Sequence, residues 1–223
     1  VSKKLEEKQR RRLADEKKRA EMKRAQRRRN LITIVIAIIV TVGVVWLILD
    51  ESSSDGPGGK PNTADYGVSQ EEAGCGEVES PELQEAQHIE VGTEHDPYSS
   101  NPPTSGPHYA APVAPIDTGF YTNEIEPEKV IHNLEHGMIV IWYRPDAPQK
   151  TIDAVEAAVD EQPAATVAVP WDQLDEGTDV AITAWGKLQS CAQVSKDVVD
   201  EFRAEFQGKG PENVGIPTFD PGA

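Results

Sequence analysis

The chain of 223 residues carries 22 Lys or Arg against 38 Asp or Glu, a formal charge of −16 that does not favour nucleic acid as its partner. Its two cysteines form no CxxC pair, and no glycine-rich phosphate loop or dinucleotide fingerprint occurs, which sets aside a thiol redox centre and nucleotide chemistry. The average charge conceals two unlike pieces: 14 basic against 5 acidic residues put residues 1–30 at +9 and leave −25 for the rest.

Residues 1–30 consist largely of good helix formers, and the charge of this basic tail suits anionic lipid headgroups or nucleic acid, the lipid-facing reading being favoured. Leu31 to Leu49 (LITIVIAIIVTVGVVWLIL) contains no charge and as a helix spans about 28 Å, one bilayer core. Asp50 and Glu51 follow directly, without the small-x-small site of a cleaved signal peptide, so residues 31–49 are expected to form an uncleaved single-pass transmembrane helix. Arg27, Arg28 and Arg29 on one flank and acids on the other predict a cytoplasmic N-terminus and an extracytoplasmic remainder. Residues 50–70, rich in Ser, Gly, Pro and Asp, read as a flexible tether.

Residues 71–223 suffice for one ordinary domain. Gln87 to Val91 reads as a short strand, and the Pro-rich stretch from Asp96 to Pro115 as an ordered loop. Pro127 near the start and Gly137 just past the end predict a helix from Pro127 to His136, followed by a buried strand from Met138 to Tyr143. Ile152, Val155, Ala158 and Val159 have the spacing of an amphipathic helix over residues 148–161. Thr166 to Val169 and Val180 to Trp185 read as strands. Ser195 is the expected N-cap of a last helix, which runs to Phe206 and carries Val198, Val199, Phe202 and Phe206 on one face. This order predicts an α+β domain, a small mixed sheet with packed helices, behind the basic helix and the membrane helix. Cys75 and Cys191, both in the exported part, are expected to pair as one disulfide.

Two segments are loaded with ligand-type residues. Prolines on both sides of a Ser-Gly turn in NPPTSGPHY hold His108 on a stiff loop. In IHNLEHGM, a helix puts His132 and His136 one turn apart on one face, near enough to share an ion, whereas a strand would separate them by about 13 Å. Two imidazoles suit zinc, copper, nickel or iron. His108 is the expected third ligand, and the thioether of Met138 as a soft ligand tilts the choice to a copper ion before zinc. Glu135 and Tyr109 are expected to support the ligands from outside the set. His88 and His95 read as ordinary surface or loop residues, and Tyr121, Trp142 and Tyr143 as packing. The competing reading has the imidazoles only hydrogen-bonding carbonyls or Glu135. The stretch also fits the H-x-x-E-H pattern of inverted zinc peptidases, with Glu135 as base. That chemistry needs a further carboxylate on a downstream helix and a large half-barrel, so an enzyme is not expected.

The pair PPTSGPHY and VIHNLEHGMIVIWY, behind one predicted membrane helix, resembles a bacterial family of membrane proteins, domain of unknown function 3105, over roughly residues 70–206. The resemblance implies that His108, His132, Glu135, His136 and Gly137 belong to a shared signature, and it brings no activity with it. The expected function is a membrane-anchored extracytoplasmic domain that binds a transition metal, copper favoured, in metal handling or sensing. The alternatives are a non-catalytic accessory subunit of an envelope or respiratory membrane complex and, third, a zinc-dependent hydrolase.

Overall fold

The computed structural model describes residues 66–212 and 214–221. The basic tail, the predicted transmembrane helix and the tether up to residue 65 lie outside the described residues. Among those described, no helix is long and apolar enough to cross a membrane.

In chain order the elements are α1 (Gln70–Ala73), β1 (His88–Ile89), β2 (His108–Tyr109), β3 (Gly119–Phe120), α2 (Pro127–Glu135), β4 (Ile139–Tyr143), α3 (Gln149–Glu161), β5 (Thr166–Pro170), β6 (Val180–Ala184), β7 (Lys187–Cys191) and α4 (Lys196–Phe206). Five of the strands form one mixed sheet in the order β3-β5-β4-β6-β7. The pairs β3/β5 and β4/β5 are parallel, while β4/β6 and β6/β7 are antiparallel. The parallel step from β4 to β5 runs through α3, as a parallel pair requires a crossover rather than a hairpin. The domain is therefore α+β with a mixed sheet and packed helices.

The central strand β4 decides where everything else sits. All five of its residues, Ile139 to Tyr143, are buried, so both faces of the sheet are covered and no polar alternation appears. Ile139, Ile141 and Tyr143 pack with Val155 and Ala158 of α3 and Val199 and Phe202 of α4. Val140 and Trp142 point the other way and pack with Val130 and Leu134 of α2, Trp171 and Leu188. The helix that carries the histidine pair is thus held on the sheet face opposite α3 and α4.

Several features were not legible in sequence. The strand β7 is partly buried and follows β6 after the Gly186 turn, with Cys191 opposite Val180. The two-residue strands β2 and β3 and the short α1 also went unread, whereas β1 lies wholly within the strand expected over Gln87 to Val91. The folded chain starts before the end of the expected tether: Tyr66 is buried, its hydroxyl donates to Glu161 Oε2 at 3.1 Å, and Val68 N donates to Val194 O at 2.9 Å. Cys75 and Cys191 are joined as a disulfide, closing a separation of 116 residues. On the chain-entropy account, a loop of that size contributes about 5 kcal/mol.

Between α3 and α4 lies a buried charged network. Arg203, fully buried, donates to Glu161 Oε2 at 2.7 Å, Ala158 O at 2.6 Å and Thr166 Oγ1 at 3.1 Å. Lys196 bridges the carboxylates of Glu161 and Asp200. Burial pushes the Glu161 carboxyl up, but the Lys196 and Arg203 charges outweigh it and leave it below its ordinary value.

Candidate metal centre

Helix α2 presents two stripes. Pro127 opens it, Val130, Ile131 and Leu134 are buried on the core side, and His132, Glu135 and the C-cap His136 recur at three- and four-residue spacing. The chain then turns at Gly137, φ +87°, where a Cβ would stand 2.9 Å from Gly210 N. The imidazoles of His132 and His136 meet with Nε2 atoms 3.1 Å apart, the one-turn geometry expected of a helical pair.

The second half of the site comes from β1 and β2. These strands are parallel, with His88 directly beside His108, and His108 N donates to Gln87 O at 2.9 Å. The proline-bounded loop before His108 is itself pinned, since Gly186 N donates to Thr104 O at 2.9 Å and Tyr98 OH to Pro107 O at 2.8 Å. The His108 ring is wholly buried and meets Trp185 edge to face at 6.2 Å.

The protons of the two buried rings are accounted for by their partners. A carbonyl only accepts, so His108 Nδ1–H donates to Gly106 O at 2.9 Å and His132 Nδ1–H donates to Tyr109 O at 2.7 Å. In the neutral rings Nε2 is then a bare lone pair. Burial, reinforced by the neighbouring His136 and His108 rings, holds the His132 imidazole below its ordinary value of 6.5, against the opposing pull of the Tyr109 carbonyl and Glu135. The three Nε2 atoms converge on one carboxylate oxygen: Glu135 Oε2 lies 2.9 Å from His108 Nε2, 3.4 Å from His88 Nε2 and 3.9 Å from His132 Nε2. Acceptors at such distances repel one another unless a cation or a proton lies among them. Ligand atoms about 2.0–2.1 Å from a tetrahedral zinc stand about 3.3 Å apart, so the spacing suits an ion.

The ligand atoms fall into two overlapping sets, each within 4.8 Å: His88, His108, His132 and Glu135, and His132, Glu135, His136 and Glu212. The expected trio His108, His132 and His136 is thereby divided between the sets, with His132 common to both. Glu135, expected in a supporting role, offers an oxygen at the centre of the cluster, and Tyr109 supports it through its carbonyl. His88, expected on the surface, has a half-exposed ring whose Nε2 faces Glu135. Only the β1/β2 register reveals this. Glu212, missed altogether, reaches His136 Nε2 at 3.1 Å from 76 residues away. Met138 turns its sulfur to Asn133, whose Nδ2 lies 3.3 Å away. His95 bonds Glu128 at 3.2 Å and the Asp96 carbonyl, outside both sets. Trp142 and Tyr143 are core residues. A cleft of about 450 Å³ adjoins the loop, lined by Gln87 and Pro107, the chain neighbours of His88 and His108, and by the acids Glu85, Glu94 and Asp96.

Fold and site together define an α+β domain with a histidine–glutamate cluster of metal-holding geometry. The chain belongs to the family described as Protein of unknown function (DUF3105), whose model matches residues 88–217. That span runs from His88 through Glu212 and so includes both ligand sets. No curated protein and no solved structure matches the chain.

Proposed function

We propose that this protein is a membrane-anchored metal-handling or metal-sensing domain that holds one transition-metal ion at His88, His108, His132 and Glu135. The observation that carries the reading is the convergence of three imidazole nitrogens on one carboxylate oxygen, with two of the rings already committed through Nδ1–H to backbone carbonyls. Neutral imidazole with carboxylate suits copper(II) and zinc, and copper is favoured by its higher affinity for such ligands. The carbonyl bonds orient the rings and raise their basicity, as partners behind metal ligands generally do. The half-exposed His88 gives the ion a route of exchange, and the acidic cleft beside it attracts cations.

The setting of the reading is extracytoplasmic. The uncharged run of residues 31–49 behind three arginines supports an anchor with the domain outside, and the Cys75–Cys191 pair suits an oxidising compartment. The basic tail would then lie against anionic lipid on the inner side.

A second reading is a non-catalytic module of a membrane complex, in which the imidazoles only brace the loop. It is favoured by the His132 bond to the Tyr109 carbonyl and the His108–Glu135 contact, which tie helix α2 and the His108 loop together. Elemental analysis of the full chain, purified in detergent with its disulfide intact and equilibrated with copper or zinc, separates the two. The metal reading expects at least one tightly held ion per chain, lost in His108→Ala with His132→Ala. A protein that retains neither metal at micromolar concentration overturns it and leaves the bracing role.

A further inference from the structure

We propose that a second divalent transition-metal ion binds beside the first, held by His136 and Glu212 and sharing Glu135, so that Glu135 bridges two ions. The inference rests on the metal reading above and extends it. A single ion at His88, His108, His132 and Glu135 leaves His136 Nε2 and Glu212 Oε2 unused, although they lie 3.1 Å apart and His136 Nε2 is 3.1 Å from His132 Nε2. The atoms of His132, Glu135, His136 and Glu212 stand within 4.8 Å of one another, a complete four-ligand set of its own.

The sharing rule follows from the lone pairs. His132 gives its Nδ1–H to Tyr109 and has one lone pair left at Nε2, so it serves one ion at a time. Glu135 has two oxygens and is the member of both sets able to face two ions at once. His88, His108 and Glu135 then hold the inner ion, Glu135, His136 and Glu212 the outer one, and His132 completes either. Ions joined by such a bridge lie about 3.5–4 Å apart, and the carboxylate between them offsets their repulsion.

The outer ligand is positioned by backbone packing. Residues 208–212 lie flat across the end of α2: Gly208 N donates to Gly137 O at 2.8 Å and Glu212 N to Glu135 O at 3.1 Å. A Cβ on Gly210 would stand 2.1 Å from Glu135 O and 2.3 Å from Gly137 N, so this approach is open to glycine alone. A plain His136–Glu212 ion pair, with a carboxylate half-exposed to water, stabilises little by itself. Filling the outer position would fasten the segment to the helix and make its docking depend on metal.

Zinc added alone to the metal-free full chain tests this, with bound ions counted after dialysis and amide exchange followed over residues 208–212. The expected result is two ions per chain in the wild type and one in Glu212→Gln and in His136→Ala. Zinc slows exchange over residues 208–212 in the wild type and leaves it unchanged in Glu212→Gln. His88→Ala with His108→Ala should lose the inner ion instead. One ion in wild type and Glu212→Gln alike, or two in both outer variants, overturns the second site and leaves the first standing. A wild type that takes up no ion overturns both readings together. Glu212→Gln keeps the shape of a half-exposed side chain, so a fold change does not confuse the count.

Discussion

Glu135→Gln tests, by the sign of its effect on stability, whether His108 turns a lone pair toward Glu135. In the metal-free protein His108 Nε2 and Glu135 Oε2 are 2.9 Å apart, and His108 Nδ1–H is donated to Gly106 O. With a neutral ring, both facing atoms are acceptors. The amide of Gln offers an N–H there, so a hydrogen bond replaces a repulsion, a gain of about 1 kcal/mol. In a domain of this size that raises Tm by about 2–4 °C. Metal binding moves the opposite way, since a neutral carbonyl replaces a charged ligand, and affinity is expected to fall at least about tenfold, or about 1.4 kcal/mol. Were His108 instead an imidazolium paired with the carboxylate, the same substitution would break a buried ion pair and cost about 3–5 kcal/mol. Thermal and denaturant unfolding of chelator-treated wild type and variant distinguishes these. A variant less stable than wild type without metal refutes the assignment of a lone pair to His108 Nε2.

Cys75→Ser with Cys191→Ser should lower stability by about 5 kcal/mol, read as a lower urea midpoint, and a reductant should bring the wild type to the same value. Gly210→Ala places a Cβ 2.1 Å from Glu135 O where ordinary contact begins at 3.4 Å, so residues 208–212 must lift by more than 1 Å. That breaks the bonds from Gly208 N and Glu212 N, about 1 kcal/mol each, and exposes both amides to exchange; unchanged protection would refute the close approach. Glu161 has a folded-state carboxyl held below its unfolded value of 4.5, so its contribution is complete above that pH and is lost as pH falls through the lower, folded value. Glu161→Gln leaves the buried Arg203 with the more distant carboxylate of Asp200 at 3.6 Å, costs about 3 kcal/mol at pH 7, and the gap to wild type should narrow on acidification below pH 4.5. A gap independent of pH in urea melts would contradict the pairing.

Local signals were readable in sequence and distant ones were not. Pro127 and Gly137 bracket α2 to within one residue because a ring-locked φ and a left-handed φ are properties of single residues. The His132 and His136 pairing follows from helical geometry alone. Cys75 and Cys191 had no alternative partner in the chain. His88 is different: its ring reaches Glu135 only because β1 lies parallel to β2 in the register His88 to His108, and two-residue strands leave no periodic trace. Glu135 had the right place on the helix, but its role depends on where His108 comes to rest. Glu212 sits in a polar stretch with no element of its own, and its position depends on two glycines meeting at the end of α2.

The disulfide also sets the mechanical layout of the domain. Any pull on the chain ahead of Tyr66 arrives on the α3 and α4 side, where Tyr66, Val194 and Cys191 pack together. It then reaches Cys75 and crosses the covalent bridge to Cys191, so residues 76–190 form a closed loop off the load path. His88, His108, His132, Glu135 and His136 all lie inside that loop. Glu212 alone lies beyond it, on the stretch of chain that tension toward the C-terminus would follow. Force applied between the two ends would therefore draw Glu212 away while leaving the other five side chains in place, which makes Glu212 the mechanically addressable part of an otherwise sheltered cluster.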